Sequence, residues 1–276
     1  MISKKEIQVF GERHRVLLRA NEFICLRPHP ALREYISNYN ITFPTKELMP
    51  DGFTAIPCGC ATLSIEADNK RLFVSLDGPA VKPYMYGSQV NQLKVIITIE
   101  FKPAGLYAFT GISQSEFVGE PLSFEAVNPK LSKMLSDALE KAASVAELVS
   151  SLDSLLLEKM LVSGHPQLML ALQDVLASAG NIAVKKLSEG IHYSERQLNR
   201  MFRQYVGVSA KSFSRIIRIN RAVRLLKKSK SLTLVSDVMG FHDLSHFIRD
   251  FRSVCGITPQ AYRNNMSDFY INTKKF

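Results

Sequence analysis

The sequence predicts an α+β chain in three parts: a β-rich, sensor-like N-terminal domain over 1–125, a helical connector over 126–164, and an all-α C-terminal domain over 165–276. Three observations carry this. Residues 5–101 are dominated by short β-branched or alternating runs separated by Pro, Gly and Asp-Asn clusters, the pattern of strands and turns. Beyond residue 165 everything reads as helix. Charge divides at the same point: residues 1–164 hold 17 Lys and Arg against 18 Asp and Glu, and residues 165–276 hold 18 against 7, giving net charges of −1 and +11.

In the N-terminal part the strand runs are Phe53–Ile56, Ala61–Glu66, Arg71–Leu76 and Leu93–Phe101, with a short helix after Pro30 through Tyr35. From Pro103 the character changes, and Pro103-Ala104-Gly105-Leu106 and Ser113-Gln114-Ser115-Glu116 open short helices. A longer helix starts at Asn128-Pro129, where Asn caps and Pro occupies the first turn without losing a hydrogen bond. Another starts with a capping box, Ser144-Val145-Ala146-Glu147, and runs to about Val162. Leu148, Leu152, Leu155, Leu156 and Met160 share one side of it, a stripe that packs on its own domain or serves as a homodimer seam. Gly164-His165-Pro166 ends the pattern and marks the domain boundary.

The hydrophobic fraction of 46% supports real cores. Cys25, Cys58, Cys60 and Cys255 are too few and too scattered for a disulfide framework, and no secretory leader opens the chain, so the cytoplasm is the expected compartment. The longest apolar runs, such as Val95-Ile96-Ile97-Thr98-Ile99, fall far short of the roughly 20 residues of a membrane span. A C-terminal block at +11 attracts a polyanion, with nucleic acid or an anionic membrane surface as the usual candidates.

The C-terminal part contains a near-repeat. Leu198-Asn199-Arg200-Met201-Phe202-Arg203 followed by Gly207-Val208-Ser209 recurs 49 positions later as Phe247-Ile248-Arg249-Asp250-Phe251-Arg252 followed by Gly256-Ile257-Thr258. Each copy reads as a helix-turn-helix. The first has a helix over Ala183–Gly190, a turn at Ile191–Tyr193 and a second helix over Ser194–Val206 capped by Ser194. The second copy has Leu234–Met239, Gly240–His242 and Asp243–Cys255, capped by Asp243. Each turn calls for a positive φ, which Gly240 supplies freely and His192 less comfortably. Leu187, Leu198, Met201 and Phe202 form one expected core, and Val235, Val238, Phe247 and Phe251 the other. Between them a helix over Ala210–Lys228 carries Phe213, Ile216, Ile217, Val223 and Leu226 on one arc and Lys211, Arg215, Arg218 and Arg221 on the opposite one. It would be about 29 Å long. Successive major-groove faces on one side of B-DNA lie roughly 34 Å apart, so such a strut spaces two reading helices into adjacent turns.

These residues resemble the AraC/XylS family of regulators over about 166–265. The carrying residues are Tyr193-Ser194, Leu198 and Arg200-Met201-Phe202, then Arg218, Arg221-Ala222 and Leu225-Leu226. Gly240-Phe241-His242-Asp243, Ser245-His246-Phe247 and Arg249 follow, and the closing Gly256-Ile257-Thr258-Pro259-Gln260-Ala261-Tyr262-Arg263 is the most specific piece. Two positions depart: His192 stands where the family usually has Gly, and Leu244 where a polar base reader is common. The resemblance implies a transcription regulator, an activator that contacts RNA polymerase in preference to a repressor. Met49-Pro50-Asp51-Gly52-Phe53, Phe101-Lys102-Pro103-Ala104-Gly105 and Glu120-Pro121-Leu122 resemble N-terminal domains found on a subset of these regulators, which leaves room for an unidentified small-molecule effector. Asp51-Gly52 reads first as a turn.

A helix lying in the major groove presents its N-terminal side chains to the bases, so Arg196, Gln197, Asn199 and Arg200 are base-reading candidates in the first copy, and Ser245, His246 and Arg249 in the second. Lys185, Lys186, Arg203, Arg215, Arg218, Lys227, Lys228 and Arg252 are candidates for phosphate contact, which positions without specifying. Double-stranded DNA is the expected partner; no cofactor, metal or membrane is implied. His242-Asp243-Leu244-Ser245-His246 has the i, i+4 histidines of a zinc helix but lacks the metalloprotease Glu, and capping by Asp243 places His242 in the turn. Cys58-Gly59-Cys60 has no second ligand pair and reads as two buried strand thiols. No motif for catalysis appears. The rival readings are an N-terminal enzyme tethered to DNA, such as a repair transferase using Cys58 or Cys60, and an architectural DNA-bending protein.

Overall fold

The computed structural model describes residues 2–50, 54–161, 164–229 and 231–264. Among the described residues the N-terminal region holds nine strands: β1 (Val16–Arg19), β2 (Phe23–Leu26), β3 (Ile36–Thr42), β4 (Thr54–Ala55), β5 (Thr62–Ala67), β6 (Leu72–Asp77), β7 (Tyr84–Met85), β8 (Val95–Phe101) and β9 (Leu122–Ser123). Seven form one antiparallel sheet in the order β1-β2-β3-β8-β5-β6-β9, and β4 pairs with β7. The helices here are α1 (Lys4–Val9), α2 (Tyr107–Thr110), α3 (Phe124–Val127), α4 (Pro129–Lys141) and α5 (Val145–Lys159). The run expected at Phe53–Ile56 is the short β4. The segments after Pro30 and at Ser113 are single 3-10 turns, Pro30–Leu32 and Gln114–Phe117. The Asp51-Gly52 turn, Phe53 and Val162 lie outside the described residues.

Alternation along the strands gives the sheet two unlike faces. Val95, Ile97, Ile99 and Phe101 of β8, with Leu63 and Ile65 of β5, enter the main core. The residues between them, among them Thr98, Glu100, Ser64 and Glu66, take the opposite face. The apolar face is covered by α3, α4 and α5, because Leu131, Leu135, Leu139, Leu148, Leu152, Leu155 and Leu156 belong to that same core. The leucine stripe of α5 is therefore spent within its own domain. Asn128 caps α4 by accepting from Leu131 N–H at 3.0 Å. Ser144 caps α5, but Glu147 reaches back to Ala143 N–H, one residue ahead of the expected box.

Asp153, 6% exposed, pins α5 to the sheet edge. Its carboxylate accepts from the Arg15 guanidinium at 2.7 Å, from His29 N–H at 2.9 Å and from the Tyr39 hydroxyl at 2.9 Å. Burial, and then the neighbouring Asp153 charge, push the Tyr39 hydroxyl well above the usual phenol range, so it stays a donor.

The C-terminal helices are α6 (Pro166–Ala177), α7 (Val184–Gly190), α8 (Glu195–Val206), α9 (Ala210–Leu226), α10 (Leu232–Val238), α11 (Leu244–Cys255) and α12 (Pro259–Asn264). They form two small cores. Leu187, Leu198, Met201 and Phe202 sit in the first with Phe213 and Ile217 of α9. Val235, Phe247 and Phe251 sit in the second with Ile219, Ala222 and Leu226 of the same helix. Val238 does not join it and is 63% exposed. The inward line of α10 runs through Val235, Ser236 and the following Met239, which turns Val238 outward. The strut ends at Leu226, earlier than expected, and its 17 residues span about 26 Å. Among the described residues no helix is long and apolar enough to cross a membrane.

Asp153→Ala is expected to lower unfolding stability by about 3–5 kcal/mol, because it strands the Arg15 charge and removes a three-donor acceptor. Urea unfolding followed by circular dichroism measures this; an unchanged midpoint would show that the node is dispensable.

Candidate nucleic-acid interface

Two helix-turn-helix units present their second helices, α8 and α11, with matching local chemistry. In the first, the chain turns at His192, whose φ is +58°, a conformation that costs a side-chain-bearing residue roughly 1–2 kcal/mol. Ser194 then caps α8 in a complete box: its Oγ accepts from Gln197 N–H at 3.2 Å, and Gln197 Oε1 accepts from Ser194 N–H at 2.9 Å. In the second, Gly240 makes the turn at φ +67°, and a Cβ there would stand 2.4 Å from the Asn181 side chain. Asp243 caps α11 by accepting from His246 N–H at 2.6 Å. That bond first, and the His242 ring second, hold the Asp243 carboxyl below the usual carboxylate range.

The caps decide which candidates are free to face a ligand. Arg196 and Arg200 on α8 and Ser245 and Arg249 on α11 are exposed. Gln197 is exposed too, but its carbonyl serves the cap. Asn199 is committed at both ends, donating to Glu195 C=O at 2.9 Å and accepting from Ala210 N–H, the first residue of α9, at 3.2 Å. His246 is half-exposed, edge-on to Phe241 and 3.7 Å from Asp250.

The phosphate candidates divide more sharply. Lys185, Lys186, Arg203 and Arg252 are exposed, Lys185 standing 4.0 Å from Glu189. Arg218, by contrast, is turned inward: its side chain is 17% exposed, it donates to Asp250 at 3.0 Å, and it lies 4.2 Å from the Phe241 ring centroid. Arg215 joins the same carboxylate at 3.6 Å. Lys227 and Lys228 line a cavity against the N-terminal sheet, together with Arg221 and Arg224, which sequence reasoning had not placed there. Of the basic arc of α9, Arg218 is turned inward and Arg215 is half-exposed beside Asp250, while Lys211 and Arg221 are exposed. A signal for Arg218 was present: Asp250 occupies the repeat position held by Met201, and an acid at a core position needs a cation.

Cys58 and Cys60 are buried, but in the irregular link between β4 and β5 and not in a strand, each thiol 3.6 Å from the other's carbonyl. Burial, and then Glu100, push the Cys25 thiol up to about 12, the opposite of what a nucleophile requires. Among the described residues no cluster of His, Cys, Asp or Glu is placed to hold a metal ion.

The fold of the C-terminal region is that of paired helix-turn-helix units sharing α9. Residues 187–265 match the family model described as a helix-turn-helix domain. The chain is 34% identical over 86 residues to the uncharacterized HTH-type transcriptional regulator YobQ of Bacillus subtilis, covering 31% of this chain and 36% of that one. It is 33% identical over 113 residues to the HTH-type transcriptional regulator ArgR of Pseudomonas aeruginosa, covering 39% and 33%. A solved transcriptional regulator with an AraC-type DNA-binding domain, from Chromobacterium violaceum, aligns at 29% identity and a TM-score of 0.34, covering 37% of this chain and 96% of that one. The chain spans about a third of the length of the two curated relatives.

Arg218→Ala is expected to destabilise the C-terminal region by about 1–3 kcal/mol, through loss of a charge-assisted bond and a cation–π contact. Thermal melting of the purified chain checks it; loss of DNA affinity without loss of melting temperature would return Arg218 to the phosphate contacts.

Proposed function

We propose that this chain is a sequence-specific DNA-binding transcription regulator that reads two neighbouring major-groove segments. One observation carries the reading: two capped helices, α8 and α11, expose arginines near their N-termini, and the single rigid helix α9 contributes to the cores behind both. Arg196 and Arg200 read bases in one segment, Ser245 and Arg249 in the other, since Arg bridges guanine O6 and N7. Lys185, Lys186, Arg203 and Arg252 hold phosphates. The inward side chains Asn199, Arg218 and Lys227 support the helices that do the reading.

Activation through contact with RNA polymerase follows from the resemblance to AraC/XylS regulators, and a small-molecule effector would act from the N-terminal domain. With α5 buried in its own core, a homodimer would need a different face. A DNA-tethered enzyme using Cys58 or Cys60 is the weaker reading, since both thiols are buried and each lies 3.6 Å from the other's carbonyl.

Selection of binding sites from random duplexes with the full-length protein is expected to enrich a bipartite motif. With about six phosphates neutralised, log K against log salt should fall with a slope near −5. Arg200→Ala is expected to cost about 1–3 kcal/mol on the selected site and to relax preference at one base pair, while Lys186→Ala weakens all sequences alike. Absence of an enriched motif, or an affinity insensitive to salt, would overturn the reading.

A further inference from the structure

The second face of the sheet is as polar as the first is apolar. Cross-strand pairing sets Asn40, Thr98, Ser64 and Ser75 in one row. The adjoining row contains Asn38, Glu100, Thr62 and Asp77. A cavity of about 620 Å³ separates this face from α9, with Glu66, Asp77 and Glu100 among its lining residues on the sheet side and Arg221, Arg224 and Lys227 on the helix side.

We propose that this cavity binds a small zwitterion the size of an amino acid or dipeptide, its carboxylate against Arg224 and its ammonium against the acidic wall around Glu66. Arg224 makes no ion pair or hydrogen bond among the described residues, and its charge is disfavoured first by burial and then by Arg221. Glu66 is in the converse position: burial first raises its carboxyl, partly offset by the Ser75 hydroxyl 2.6 Å away. Each wall is stabilised by a ligand group of opposite charge. Asn40, 6% exposed, and Thr98 add side-chain oxygens that are buried without a hydrogen-bond partner among the described residues. Such acceptors suit the N–H donors of an ammonium or a peptide. An alkyl chain leaves all of these groups unmet, and a neutral polyol leaves both charges unmet.

The site also touches what holds the reading helices. Arg224 belongs to α9, and the cavity-lining segment after Asp77 places Pro79 against Gly207 at the end of α8 and Pro83 against Gly256 at the end of α11. Binding requires only the cavity; its use as an effector site rests on the DNA-binding function proposed above.

The test is thermal melting of the full chain with each common L-amino acid and a set of glycyl dipeptides at millimolar concentration, beside glucose 6-phosphate and decanoate. At least one zwitterion is expected to raise the melting temperature by several degrees. Arg224→Gln and Glu66→Gln should each weaken its binding by about tenfold or more while the unliganded protein melts as before; calorimetry gives the affinities. Stabilisation by the sugar phosphate or decanoate alone, by none of the compounds, or equally in both variants would overturn the proposal. If either variant fails to fold, the amine and the acid derived from the stabilising zwitterion replace it. Each should bind wild type at least about tenfold more weakly, and equal binding by either overturns the proposal. Zwitterion binding by a chain that selects no DNA motif would support the site and sink only the DNA reading.

Discussion

Helix α9 is the constraint on which the rest of the molecule depends. Its first half completes one small core through Phe213 and Ile217, and its second half completes the other through Ile219, Ala222 and Leu226. It also meets the N-terminal domain: Asn220 donates to Pro57 C=O at 2.8 Å, and the Phe213 ring lies so close to Gly59 that a Cβ there would stand 2.8 Å from it. Gly180 admits α9 from another side, since a Cβ would fall 2.1 Å from Ser214 C=O. A helix of 17 residues is marginal alone in water, and here three packed surfaces hold it.

Charge follows from that arrangement. A free strut would spread all its cations in solvent, but α9 is packed on several sides, so Arg215, Arg218 and Arg224 are partly covered while Lys211 and Arg221 stay exposed. Arg215 and Arg218 converge on Asp250 and tie α9 to α11, while the next basic residues along the helix face the sheet. The exposed cations of this part sit on α7, α8 and α11, with Lys211 and Arg221 on α9 and Lys228 just beyond it. The +11 of the C-terminal part therefore overstates what DNA can meet, and the exposed subset is the better measure of the electrostatic footprint.

What the sequence revealed was mostly what one turn of chain decides. The caps at Asn128, Ser194 and Asp243 follow from residue type and spacing within four positions, and the positive φ at His192 and Gly240 follows from the copied turn. The internal repeat exposed both units and their shared helix. The inward turn of Arg218, the exposure of Val238 and the placing of Lys227 at a cavity depend on how distant elements dock, which spacing along one helix does not encode. For the candidate site the result is mixed: Arg196, Arg200, Ser245 and Arg249 stand exposed on their helices, while Gln197 and Asn199 carry the right chemistry but spend it on the fold. Strand alternation marked the sheet's two faces, yet only the covering helix turns the polar face into a cavity.

The segment from Pro79 to Pro83 has a mechanical meaning. Two bodies joined by a single helix keep a twisting freedom about its axis and a bending freedom at each end. Contacts at Gly207 and Gly256, the ends of α8 and α11, add through this segment a second link between the two bodies. Both braced points are glycines with positive φ, +90° and +77°, where an added side chain would meet the prolines as well as a strained backbone. The angle between α8 and α11 is thereby held from the N-terminal domain as well as by α9, and release of either end leaves the restraint to contacts inside the C-terminal region, Arg215 and Arg218 on Asp250 and Gly240 on Asn181.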